Sequence, residues 1–376
     1  MTPVDVAALK TGAMVTEPTA FELKFGTFTA ERVRLIEGRR LLNILAHPID
    51  FVPELTELSY TRIFATTDEM SKTGGLPAEF SDTVNANDLV VGVTSGRTNG
   101  SVRNFESIRV GILQFGTARN AENVATDIYQ VGTSRENPRQ PFPIPGYPKA
   151  NGSVSDVSVN AFQQHGPFVI VAAIQEPQLD RDASADKIKR FLDQQIAALD
   201  KFPLIADDDL LDLPLDQDGI MRRAMDKSPA GDPLQMGFND EDFGTFLPSG
   251  ILHFERNALE TRKAFEDAGV DLIGRRYSTI YRTRDVEAAF TLQNVLARRG
   301  KNDMVLDPPP GIADARCVRL AEPDKNRDFD GFCVLVYDRY VAVVMSTVGQ
   351  MKRSLSVDVT LQERTAAQYA ILTKSE

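Results

Sequence analysis

Cysteine and histidine, the side chains most diagnostic of nucleophilic, general-base or transition-metal chemistry, are sparse in this 376-residue chain: two cysteines, Cys317 and Cys333, and three histidines, His47, His165 and His253. The histidines are scattered, none stands at metal-ligand spacing from another or from a cysteine, and neither C-x-x-C nor H-E-x-x-H occurs, so spacing offers no zinc site. His165 precedes Gly166-Pro167, which suits a hairpin turn better than proton transfer. No G-x-S-x-G, P-loop or dinucleotide glycine pattern is present, and no catalytic, cofactor or metal residues are assigned. The acidic run is the most suggestive stretch. Asp216-Gln217-Asp218-Gly219 resembles part of a calcium loop, yet Pro214 and Met225 occupy the first and last ligand positions. Asp207, Asp208, Asp209 and Asp212 form the only candidate set for a non-standard calcium site; the competing reading makes them solvated, helix-capping aspartates of a linker. Thr94-Ser95-Gly96-Arg97 reads as a turn after an apolar strand, either binding an anion through its amides and Arg97 or purely structural.

The elements that would position such groups come in two similar sets. Ile108–Phe115 is an apolar strand feeding a helix that opens at Asn120 with Ala121, Val124, Ala125 and Ile128 on one side. Tyr277–Tyr281 feeds a helix opening at Asp285 with Val286, Ala289 and Phe290. Each is followed by a hairpin whose second strand is almost wholly apolar, Phe168–Ile174 and Tyr340–Met345, and then by an amphipathic helix, Ser184–Leu199 and Val359–Leu372. Strands this apolar are covered on both faces or lie centrally in a sheet. The expected fold is therefore α+β: two tandem, related sandwich domains, each a mainly antiparallel sheet packed with helices.

Around these units, the spacing predicts a helix over Ala30–Leu45 capped by Thr29, and strands at Ser59–Ala65 and Leu89–Thr94. The Pro-, Gly- and Asn-rich stretch 132–152 forbids regular structure and reads as a long loop. An acidic, Pro-bearing change in composition divides the chain into 1–205, a 206–235 linker and 236–376. The last domain is expected to start with a strand at Ile251–Phe254 and a helix running from an Asn257 cap to Gly269.

A net charge of −11, from 42 basic and 53 acidic residues, repels nucleic acid in general, though a local basic patch is compatible with it. No run approaches the roughly 20 apolar residues that cross a bilayer, and the opening MTPVDVAALK lacks the regions of a secretory signal. Cys317 and Cys333 lie in short strand-like runs joined by a polar loop, and so face each other across adjacent strands. Oxidised, they would close a loop and stabilise the fold by about 3 kcal/mol in the chain-entropy model, outside the cytosol; the alternative is two buried free thiols within it.

The opening Val4-Asp5-Val6 with Leu9 and Gly12, the helix ERVRLIEGRRLLN, the region LDLPLDQDGIM, and RYVAVV followed by ERTAAQYAIL resemble the actinobacterial, mycobacterial-type cell-envelope lipoproteins of unknown function that pair an N-terminal with a C-terminal uncharacterised domain. In that family the precursor carries an export signal and a lipidated cysteine ahead of the VDV segment; neither is present here, which fits a truncated mature domain. The resemblance implies an oxidised Cys317–Cys333 pair, an extracytoplasmic location, and no catalytic residues. The expected function is a non-catalytic envelope protein that binds a ligand, such as an envelope lipid held between helices and sheet, or a protein partner. Membrane attachment would come only through a lipid anchor absent from this chain. The alternatives are an envelope hydrolase at the domain junction, built on His253 or His165 with acidic partners, and a structural or assembly protein.

Overall fold

The computed structural model describes residues 2–21, 30–134, 139–206, 209–227, 243–324, 329–347 and 356–375. These fall into two compact units that are discontinuous in sequence. One comprises Phe25–Leu213 with Ser249–Leu259; the other comprises Met1–Lys24, Pro214–Pro248 and Glu260–Glu376. Relative to the expected division, Met1–Lys24 group with the second sheet and Ser249–Leu259 with the first.

The first unit runs α1 (Ala30–Ile44), β1 (Glu57–Phe64), α2 (Thr67–Lys72), α3 (Ser81–Asn85), β2 (Leu89–Thr98), β3 (Ser107–Phe115), α4 (Ala118–Thr133), β4 (Gln140–Pro141), β5 (Asn151–Val154), β6 (Ser158–His165), β7 (Phe168–Gln175) and α5 (Arg181–Leu199). Its seven strands lie in the order β1-β2-β3-β7-β6-β5-β4, every neighbour antiparallel. Phe64, Leu113, Phe115, Phe162, Val169 and Val171 share one face and pack against Met70 of α2, Val84 of α3 and the apolar stripe Ala121, Val124, Ala125 and Ile128 of α4. On the opposite face α1 closes over β1 and β2. The proposed cap Thr29 lies outside the described residues.

In the second unit, β8 (Gly244–Phe246), α6 (Pro248–Ile251), α7 (Ala258–Ala268), β9 (Leu272–Arg275), β10 (Ser278–Arg282), α8 (Val286–Leu296), β11 (Met304–Leu306), β12 (Arg316–Asp324), β13 (Phe329–Tyr337), β14 (Tyr340–Ser346) and α9 (Val359–Thr373) follow one another, although α6 and the start of α7 group with the first sheet. The strand order, β8-β9-β10-β14-β13-β12-β11, matches that of the first sheet strand for strand. In both copies the third strand pairs with the seventh after one helix and a returning meander, so the repeat seen in the sequence is a repeat of topology. The two hairpins also correspond: Gly166-Pro167 joins β6 to β7 and Asp338-Arg339 joins β13 to β14. The first residue of each turn has positive φ, +55° at Gly166 and +49° at Asp338. The fold is α+β, built on two antiparallel seven-stranded sheets carrying helices.

Several local expectations are corrected. The α4 cap is Thr117, whose hydroxyl accepts the Asn120 N–H, so the helix begins three residues before the apolar periodicity becomes visible. Asp285 does cap α8. The stretch 132–152 contains β4 and the start of β5, where Arg139 donates to Ser153 and Ser158 beside the edge pairs Gln140↔Val154 and Pro141↔Ser153. Ile251–Phe254 is helical rather than extended: Pro248 starts α6, and a 3₁₀ turn continues over Leu252–Phe254. Within the expected linker, Ile220, Met221, Ala224 and Met225 are fully buried in the second core beside Leu361, Tyr369 and Ile371 of α9.

The opening segment is docked by specific groups. Asp5 caps a 3₁₀ turn at Val6–Ala8, Leu9 packs on the second core, and Thr2 donates both its amide and its hydroxyl to Asp314. Gly12 has φ +56°, a left-handed conformation that strains other residues, and the Glu363 carboxylate lies where a Cβ would stand. Cys317 and Cys333 are register partners on β12 and β13 and their sulfurs are bonded.

Two expectations follow. Replacing both cysteines by alanine should lower the unfolding free energy by about 3 kcal/mol in urea denaturation, and reductant should shift the parent protein equally. The Thr2 amide, chiefly, holds the Asp314 carboxyl below its ordinary value of 3.8. A depressed folded-state value stabilises above the unfolded pKa and is lost as pH falls through the folded one. Amide-exchange protection of Val4–Leu9 should therefore be constant near neutrality and fall only in acid, once the pH drops through the depressed carboxyl value of Asp314; protection that persists with Asp314 protonated would contradict its docking role.

Candidate functional site

The histidines are not all apart. His47 and His253, 206 positions distant in sequence, stack in the first unit with ring centroids 4.6 Å apart and planes inclined by 30°. Both are buried. His253 Nε2 lies 3.0 Å from the Leu45 carbonyl, which only accepts, so that nitrogen carries the proton. His47 Nδ1 accepts the Ile49 N–H, which leaves Nε2 protonated in the neutral ring. The 3.5 Å approach of His47 Nε2 to Arg97 Nη2 is then a contact of two N–H groups rather than a hydrogen bond.

Arg97 is the centre of this cluster. Thr94-Ser95-Gly96-Arg97 is not a turn, because β2 continues through Thr98 with partners on both sides. Its side chain is fully buried and donates to the carbonyls of Glu255 at 2.7 Å, Arg256 at 3.2 Å and Thr56 at 3.3 Å, with Leu252 and His253 at 3.4 and 3.5 Å. A cation thus meets the C-terminal carbonyls of the Leu252–Phe254 turn, where the backbone dipole favours it. Thr61 adds a 2.6 Å hydrogen bond to the His253 carbonyl. The chemistry is structural: Arg97 and the histidines fasten Ser249–Leu259 to the first sheet. His165 sits at the surface, its Nε2 2.9 Å from Asp200 Oδ1, and among the described residues no hydroxyl or thiol hydrogen-bonds to either side chain.

Two residues of the acidic run are engaged by protein donors. Asp216 accepts the amides of Met221 and Arg222, and Asp218 pairs with Arg282 at 2.9 Å. Asp209 and Asp212 lie in one 3₁₀ turn, while Asp207 and Asp208 lie outside the described residues. No group of three or more ligating side chains gathers among the described residues.

Among the described residues, half of one face of the first sheet is left uncovered by helices. Helices α2, α3 and α4 cover the end of the first sheet where Phe64, Leu113 and Phe115 point outward. Towards the other end of the same face stand Tyr60, Arg109, Asn160 and Ser158, half-buried, and Gln175, exposed. The register aligns Tyr60, Gly96, Arg109, Ala173 and Asn160 across five strands. A cleft of about 1010 Å³ opens there, lined by Glu79, Phe80, Ser134, Arg139, Ser155, Ser158, Asn160 and Gln175 with Pro77 and Gly132. Beside it, Arg62 and Arg109 flank the Tyr60 ring with guanidinium carbons 5.7 and 5.6 Å from its centroid, and Arg109 Nε donates to the Tyr60 hydroxyl. Burial pushes that hydroxyl up from its ordinary pKa, against the opposing pull of Arg109. A smaller, mostly apolar hollow of about 450 Å³ lies along α5 at Ile44, Ala197, Ala198 and Phe202. Sequence reading missed this surface. Its one local signal is the i, i+2 spacing of Tyr60 and Arg62 in a strand; Arg109 joins them only through register.

The structural role of Arg97 is open to test. Arg97→Met should destabilise the protein by about 3 kcal/mol by stranding buried carbonyls, and Arg97→Lys should recover only part, having fewer donors; an unchanged urea midpoint would refute the assignment.

Comparison with family models finds two matches. Residues 26–215 match the model described as Domain of unknown function (DUF7373) N-terminal, and residues 220–375 match Domain of unknown function (DUF7373) C-terminal. Comparison with curated proteins and with solved structures finds no match. With both family domains present in order and together spanning most of its length, the chain belongs to the DUF7373 family.

Proposed function

We propose that the chain is a non-catalytic binding module of an exported envelope protein, of the actinobacterial lipoprotein type that its sequence resembles. The observation that carries the binding reading is the cleft on the first sheet. Its lining combines serines, amides, one carboxylate and one guanidinium, and contains no histidine or cysteine. Such a surface recognises by hydrogen bonding.

The Cys317–Cys333 bond supports the compartment, since cross-links of this kind persist in oxidising surroundings and are rare in the cytosol. Duplication of the scaffold supports a role in presenting surfaces, because the repeated parts are sheets and covering helices. The apolar hollow along α5 supplies a second surface, suited to an acyl chain.

Native mass spectrometry of gently purified protein should reveal a bound small molecule or lipid that denaturation releases. A purely apo mass, together with no affinity for extracted envelope lipids or small polar metabolites, would end the binding reading. Alkylation without reductant should leave both thiols protected; two freely alkylated cysteines would contradict the exported location.

A further inference from the structure

The chain carries eleven more acidic than basic charges, yet the open half of the first sheet face is locally basic. Arg62 and Arg109 project from β1 and β3 on either side of Tyr60. No carboxylate pairs with either among the described residues. Arg62 spends Nε on the Thr73 carbonyl and Nη1 on the Thr61 carbonyl, leaving Nη2. Arg109 spends Nε on Tyr60, leaving both terminal nitrogens. The ring that separates the two cations rests over Gly96, where a Cβ would come within 3.0 Å of it, so the absence of a side chain there lets Tyr60 lie against the sheet and fix both guanidinium groups.

Two like charges held around one half-buried ring repel each other, and an anion set against their unspent terminal nitrogens would relieve that repulsion. Guanidinium groups suit oxyanions because their N–H pairs match two oxygens at once. From Arg109 to Asn160 is two strand spacings, about 10 Å, with Ala173 between them on β7. That small residue leaves the floor low between the cationic pair and the polar cleft. Ser158, Asn160 and Gln175 face the cleft as neutral donors and acceptors, and Glu79 stands as an acceptor on its wall. Arg139, whose nitrogens bond Ser153 and Ser158, serves the edge of the sheet rather than a ligand.

We propose that this surface binds a hydroxyl-rich small molecule carrying an oxyanion, of which a sugar phosphate is the simplest, with Arg62 and Arg109 facing the oxyanion and Ser158, Asn160 and Gln175 taking the hydroxyl groups. The assignment deepens the reading of a binding module by naming its ligand class, and it rests on that reading. It also specifies which contact carries charge and which carries shape.

Isothermal titration with glucose 1-phosphate, with glucose and inorganic phosphate as comparisons, tests it. Glucose 1-phosphate should bind at least tenfold more tightly than either part alone. Arg109→Gln should weaken it by about tenfold, the loss expected for a charge-assisted contact. Asn160→Ala should weaken glucose 1-phosphate while leaving inorganic phosphate unchanged. Should Arg109→Gln fail to fold, Arg62→Gln reads the same surface, because its Nη2 has no hydrogen-bond partner among the described residues. Equal binding of glucose and its phosphate, no binding of the phosphate, or full affinity in the folded arginine variants would overturn the proposal, as would binding to phosphatidylinositol vesicles alone. A lipid seen by native mass spectrometry with no response to glucose 1-phosphate would overturn this site and leave the binding module standing; an apo mass with no response to any probe would end both.

Discussion

Antiparallel pairing of the third strand with the seventh closes each sheet, and most of what distinguishes this protein follows from it. To bring β7 back beside β3, the chain must leave the sheet through α4, land at the far edge and return through a meander of β4, β5 and β6. The same constraint acts on β10 and β14 through α8. One crossing helix, even with α2 and α3 beside it, covers only one end of a seven-stranded face. The other end of the first sheet is left half-exposed, and Tyr60, Arg62, Arg109, Asn160 and Gln175 stand there. A partly open surface thus arises as a by-product of topology, and polar residues line it.

Buried charge is used elsewhere as a fastener. Arg97 takes a guanidinium into the interior and repays its lost hydration with backbone carbonyls, chiefly that of Glu255, fixing Ser249–Leu259 on the first sheet. In the second unit Arg319 lies buried between Asp330 and Asp358 at 3.0 and 2.9 Å, while Asp358 also caps α9 through the Leu361 amide. Each arrangement joins elements distant in sequence through groups that are costly to leave alone. The contrast with Arg62 and Arg109 is instructive: those cations keep unspent donors at the surface, which is the condition for recognising something other than the protein itself.

Much of the scaffold was legible in the chain because it depends on periodicity. Apolar alternation and the stripes at helical spacing in α4, α5 and α9 marked the elements, and the duplicated order of strand, helix and hairpin marked the two sheets. Boundaries failed where a local hydrogen bond decides them. Thr117 caps α4 ahead of its first apolar residue, and Leu252–Phe254, apolar enough for a strand, turns because its carbonyls converge on Arg97. The interior placement of Ile220 and Met221 was hidden by the acidic residues around them.

The sequence by itself determined the fold class, the repeat, and the facing of Cys317 and Cys333, since each depends on residues near one another or on a period that survives without coordinates. Tertiary structure alone decided which distant groups meet. His47 stacks on His253, Arg97 reaches Glu255, and Arg109 comes beside Tyr60. Strand register makes the last of these contacts and chain return the first two, and a shift of one residue in register would turn every side chain to the opposite face. Composition carries no record of register, so the surface most capable of binding could be seen only once the strands were aligned.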